Sequence, residues 1–183
     1  MIELERVYPR YARRKRLVLL MTGLALAAAG CGGGGSDAKP TTQALSGQRV
    51  AGDGYAFHAP EDWTAKVTPR AATVSQDGDT LVSVTVLPLQ SAYKPSLFPR
   101  VTDELDRVAK ELAGKLGGEL TSSKTVLAAG GKAREYQIEH GELVDRITFV
   151  LEAKREYQLT CRWRKASGEP AACGQLAGSF SLS

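Results

Sequence analysis

Cysteine, histidine and one serine–lysine pair are the side chains of this 183-residue sequence whose types and spacing bear on chemistry. Ser91-Ala92-Tyr93-Lys94 has the Ser-x-x-Lys spacing in which a neighbouring amine lowers the cost of deprotonating a nucleophilic serine. The elements that complete such a site are missing, because the chain contains no Asn for a Ser-Asp-Asn element and no Lys-Thr-Gly. Ser91 also stands just ahead of Pro95, in an expected loop. No Gly-x-Ser-x-Gly elbow, His-Glu-x-x-His helix, phosphate-binding Gly-rich loop or Ca-binding loop is present. Asp77-Gly78-Asp79 reads as a solvated turn before a strand. Glu135, Glu139, Glu142 and Asp145 surround a hairpin, where exposed charge discourages edge-to-edge pairing. His58, on the strand face opposite Phe57, is expected at the surface or an edge, and His140 beside Gly141 in a turn. Trp63, Trp163, Tyr136 and Tyr157 are expected in the core. No catalytic residue, metal site or cofactor is assigned.

The first thirty residues explain the basic pI near 9.0. They hold six of the 24 Lys and Arg, ending in Arg13-Arg14-Lys15-Arg16, and beyond them acids and bases balance. The counterion-release term that holds nucleic acid has nothing to act on in the rest of the chain, so nucleic acid is not an expected partner. After the cationic stretch come an apolar run, Leu17 to Ala29, and a small-residue exit, the three-part layout of an export signal. A spanning helix needs about 20 apolar residues, and this run stops short at Gly30.

Ala28-Ala29-Gly30-Cys31 resembles the lipobox of bacterial lipoproteins, with Ala28 standing where Leu is usual. The resemblance implies that Cys31 receives a diacylglycerol thioether and becomes the first residue of a chain anchored on the outer face of the cell membrane. Gly32-Gly33-Gly34-Gly35-Ser36 then reads as a flexible spacer. We therefore expect a signal peptide over 1–30, a tether over 31–52 and one domain over 53–183. Export also permits disulfides. Cys161 and Cys173 have eleven residues between them, Gly168 and Pro170 included, and are expected to pair; a zinc pair would lack its other ligands, since neither histidine has ligand spacing to them.

The remaining residues are enough for one hydrophobic core. Gly54 to Pro60 and Thr80 to Leu87 alternate as half-buried strands do. Leu97 to Leu116 changes period, with Val101, Leu105, Val108, Leu112 and Leu116 on one helical stripe, early acids, Lys115 in the last turn and Gly117-Gly118 as a stop. Strands follow over Lys124 to Ala129, Lys132 to Glu139, Leu143 to Glu152 and Tyr157 to Trp163, with Gly130-Gly131 as a hairpin turn. Ala172, Cys173, Leu176 and Phe180 have helical spacing. The expected fold class is α+β: an antiparallel sheet with one long central helix and a short C-terminal helix.

The opening Gly54-Tyr55-Ala56-Phe57-His58-Ala59-Pro60-Glu61-Asp62-Trp63, the central helix and the closing Tyr157-Gln158-Leu159-Thr160-Cys161 with Gly178-Ser179-Phe180 resemble the small PsbP/Mog1-like domains of many bacterial lipoproteins. That resemblance implies binding or accessory work. The expected function is a lipid-anchored, extracytoplasmic binding or scaffold module that is not an enzyme; the alternatives are a small envelope hydrolase or transferase with a noncanonical site and a carrier of an apolar ligand. Period-two alternation puts Tyr157, Leu159, Cys161, Trp163, Ile147, Phe149 and Leu151 on the covered face. Val144, Arg146, Thr148 and Val150 then fall outside. Arg146, Arg162 and Arg164 thereby become a candidate basic patch for an envelope protein, anionic lipid head groups or wall polymers.

Overall fold

A computed structural model describes residues 47–183. Cys31 and the leader lie outside the described residues. The strands are β1 (Gln48–Gly52), β2 (Tyr55–Ala59), β3 (Thr64–Thr68), β4 (Ala71–Ser75) and β5 (Leu81–Pro88). After a single helical turn, Pro95–Leu97, come α1 (Phe98–Leu116), β6 (Glu119–Ala128), β7 (Gly131–His140), β8 (Leu143–Glu152), β9 (Arg155–Arg164), α2 (Ala171–Ser179) and the two-residue β10 (Ser181–Leu182). The α+β class with one long and one short C-terminal helix is as expected. The folded part, however, begins ahead of residue 53, because Gln48–Gly52 pairs with β2 along its whole length.

Seven strands form one antiparallel sheet in the order β3-β4-β5-β9-β8-β7-β6, and β1, β2 and β10 form a small second sheet. Antiparallel residues directly opposite each other share a face. On β5, Val82 and Val84 face Cys161 and Leu159 of β9, and all four are buried beneath the small sheet and α2, with Phe57, Tyr55 and Phe180. The other face is covered at the opposite side of the sheet. There α1 lays Leu105, Ala109 and Ala113 on Tyr136 and Ile138 of β7 and Ile147 and Phe149 of β8. Alanines in that stripe allow the helix to lie close to the sheet. Of the residues expected on the stripe Leu105 is buried, and Val101, Val108, Leu112 and Leu116 are half-buried.

Because α1 covers one face and α2 the other, β8 is buried on both. The register sets Val144 opposite Trp163, Thr148 opposite Leu159 and Val150 opposite Tyr157. These three residues, expected outside, are buried beside the α2 layer, and Ile147 and Phe149 are buried under α1 instead. Alternation marks a strand with one wet face; it cannot show which of two buried faces a neighbouring strand shares.

Candidate functional site

The Cys161–Cys173 disulfide is present, with the two Cα atoms 5.4 Å apart, and joins β9 to the first turn of α2. Closing a loop of this length is worth about 3 kcal/mol in the chain-entropy model. The three arginines do not come together. Arg146 lies opposite Cys161, on the α2 face, whereas Arg162 lies opposite Asp145, on the α1 face. Arg146 reaches Glu169 at 2.8 Å and stacks over Trp163. Arg164 pairs with Asp79. Arg162 donates from Nε and a terminal nitrogen to both oxygens of Asp145, at 2.6 Å each.

Asp145 is 2% exposed, and His140 Nε2 stands 3.0 Å from its Oδ2. Neither residue matches its expected exposed setting in the hairpin. His140 ends β7 beside Gly118, where a Cβ would run into the backbone of Glu139. A second buried acid of that hairpin group, Glu135, meets Lys124 at 3.0 Å and accepts the Thr148 hydroxyl at 3.2 Å. Glu139 pairs with Lys165, and Glu142 is exposed.

A further cluster fastens α1 to the sheet. Arg134 of β7 donates to both oxygens of Asp106, at 3.0 and 3.1 Å, and the Tyr136 hydroxyl donates to the same carboxylate at 2.6 Å. Burial works against the charge on Asp106, yet the donors from Arg134 and Tyr136 hold its carboxyl below the ordinary range. Burial, with the neighbouring carboxylate, pushes the Tyr136 phenol up. The spacing of Asp106, Arg134 and Tyr136 along the chain gave no signal of this arrangement.

Ser91 and Lys94 are exposed on the loop before α1, as expected of a loop. Asp77 accepts the backbone N–H groups of Asp79 and Thr80, at 2.8 and 2.7 Å, which closes the turn and lowers its pKa. Trp63, Trp163, Tyr136 and Tyr157 are core residues. His58 is half-buried rather than at the surface, and its Nδ1 is enclosed without a hydrogen-bond partner. Among the described residues, no three His, Cys, Asp or Glu side chains converge as metal ligands would.

One concave feature with room for a ligand lies at an end of the large sheet. A cavity of about 280 Å³ is bounded there by the loop before α1 (Tyr93, Pro95), the first residue of α1 (Phe98), the β6–β7 turn (Ala128, Ala129) and the end of β8. Leu182 of β10 closes it from the α2 side. The loop is pinned to the β8–β9 turn, because Leu89 N–H donates to the Lys154 carbonyl at 2.9 Å and Tyr93 N–H to the Ala153 carbonyl at 2.7 Å. Both turns carry an alanine in the left-handed region, Ala129 at φ 49° and Ala153 at φ 48°. Such a conformation costs roughly 1 kcal/mol or more in a residue with a Cβ and persists where its surroundings enforce it. Two exposed leucines, Leu97 and Leu127, lie next to the lining residues Phe98 and Ala128 in sequence. Sequence reasoning missed the cavity. The small run Ala128-Ala129-Gly130-Gly131 signalled a turn, and nothing signalled that β10 and α1 would meet at that turn from opposite faces.

The described domain is similar to the solution structure of cyanobacterial PsbP (CyanoP) from Synechocystis sp. PCC 6803. The TM-score is 0.58 at 17% identity, with 80% of this chain and 98% of that one covered. The fold is PsbP-like. A crystal structure from Bacteroides thetaiotaomicron VPI-5482 is matched at a TM-score of 0.46 and 9% identity, over 70% of this chain and 45% of that one. No family model matches the sequence, and no curated protein sequence matches it. In this PsbP-like domain the Asp145 cluster, near the start of β8, lies at the opposite end of that strand from the cavity.

Proposed function

We propose that the chain is a lipid-anchored, extracytoplasmic module that binds or scaffolds an envelope partner and carries out no reaction of its own. The observation behind this reading is how the enclosed ionisable groups are used. Asp145 is taken by Arg162 and His140, Asp106 by Arg134 and Tyr136, and Glu135 by Lys124 and Thr148. A general base or nucleophile needs an unspent valence facing the space where substrate reacts. These three carboxylates are spent on neighbouring donors and stand away from the end cavity, whose own ionisable side chains, Tyr93, Lys132 and Glu152, come from separate elements. The PsbP-like fold supports the same reading at the level of architecture.

Cys31, at the end of a cationic and apolar leader, supplies the anchor in this reading, and the Gly-rich stretch after it supplies the stand-off. Mass analysis of membrane-extracted protein tests the anchor: a diacylglycerol adduct on an N-terminal Cys31 is expected, with Cys31→Ser released to the soluble fraction. Crosslinking in intact cells tests the binding role, and a reproducible protein adduct is expected. An unmodified Cys31 overturns the anchor, and turnover of an envelope substrate by the purified chain overturns the non-catalytic role.

A further inference from the structure

The end cavity runs round the rim of the sheet and joins its two faces. Alternation along β7 places Lys132 on the face of Arg134, toward α1, and alternation along β8 places Glu152 on the face of Val150, toward β10. Both line the cavity. The Lys132 ammonium stands 6.0 Å from the centre of the Phe98 ring. Among the described residues neither Lys132 nor Glu152 takes part in an ion pair, whereas Lys124, Arg134, Arg146, Arg155, Arg162 and Arg164 on β6 to β9, and Lys165 just after, all do. The floor between the two charges is apolar: Phe98, Val150, Leu151 and Leu182. It holds a body of side-chain size, with an anion wanted at one mouth and a cation at the other.

We infer that this cavity is a binding site for a short unblocked apolar peptide, whose terminal carboxylate and terminal ammonium stand apart on either side of its apolar body. Its carboxylate meets Lys132 on the α1 side, its ammonium meets Glu152 on the β10 side, and its apolar body rests on Phe98, Val150 and Leu182. The pinned loop and the two left-handed alanines make the walls preformed, so little ordering cost is spent on binding. The inference rests on the binding-module reading and gives that module one ligand class.

Four dipeptide probes with a single ring separate the contributions: alanylphenylalanine, its C-terminal amide, its N-acetyl derivative and the doubly blocked N-acetyl amide. They are titrated by calorimetry into the full chain held in neutral-lipid nanodiscs. The unblocked dipeptide is expected to bind at least about tenfold tighter than the doubly blocked compound, with the singly blocked compounds between. Lys132→Ala should bring the unblocked dipeptide down to the level of its amide, and Glu152→Gln down to that of its N-acetyl derivative. Both residues are exposed, so neither change threatens the fold. No binding by any probe, or equal binding of the zwitterion and the doubly blocked compound, overturns the inference. Neither result touches the binding-module reading, which stands or falls on the Cys31 adduct, the cellular crosslinks and the turnover assay.

Discussion

Asp145 shows how a hairpin acid becomes a structural tie. Both of its oxygens accept from Arg162, one also faces His140, and the side chain is almost wholly out of water. Taking the charge away while leaving the guanidinium in place breaks a buried pair, which costs about 3 kcal/mol or more. Asp145→Asn is therefore expected to lower the unfolding free energy measured in urea by that amount, and Asp145→Asn combined with Arg162→Met to recover part of it. Glu156 behaves in the opposite way. Burial between strands raises its carboxyl above the ordinary value, opposed by the amide of Gln158, which donates to it at 2.8 Å. The folded chain then holds this proton more tightly than the unfolded chain, so stability falls as pH rises from below the ordinary carboxylate value through the raised folded one. Glu156→Gln keeps an acceptor for Gln158 and removes the charge. The variant should melt higher than the parent above that window and at the same temperature below it; thermal scans across pH check this.

At the scale of the element, α1 and its C-terminal cap have two glycines with opposite roles. Gly117 ends the helix at φ 65°, its N–H turned back to Ala113 and Gly114. Gly114 sits on the exposed face inside the helix, with open space where a Cβ would stand. Gly117→Ala should cost about 1 kcal/mol, and Gly114→Ala should add roughly 0.5–1 kcal/mol, both measured by denaturant unfolding. The helix was legible over nearly its whole length because its apolar period is long and its stop is a Gly pair. Its early acids were misplaced by a turn, since the first turn, Phe98 to Val101, contains none. Strands were legible where one face is wet, as in β5. The edge strand β3, exposed at every position, has no period to read, and β1, small and polar, looked like tether. β6 starts at Glu119 rather than Lys124, because its Thr-Ser-Ser run lies on an exposed edge where nothing demands alternation.

Across the whole molecule, what the sequence hid was which face each layer covers. The disulfide was legible from two cysteines and a turn-sized gap, but the arginine patch dissolved because β8 and β9 meet in a register that sends Arg146 and Arg162 opposite ways. The same two-sided covering has a consequence for motion. One half of the sheet is clamped by α2, the small sheet and the disulfide, and the other by α1, through a separate apolar cluster and the Asp106 tie. Two clusters on opposite faces need not open together, and sub-global opening follows such boundaries. Hydrogen exchange should show α1 amides opening at a lower free energy than those of β5 and β9. Reducing Cys161–Cys173 should speed exchange in α2 and β9 while leaving α1 as it was; uniform exchange throughout would mean a single cooperative unit. The end cavity takes Phe98 from one half and Leu182 from the other. Whatever occupies it acts as a clasp between two shutters that otherwise swing separately, and its arrival is readable as slower exchange in α1, far from any contact with the disulfide.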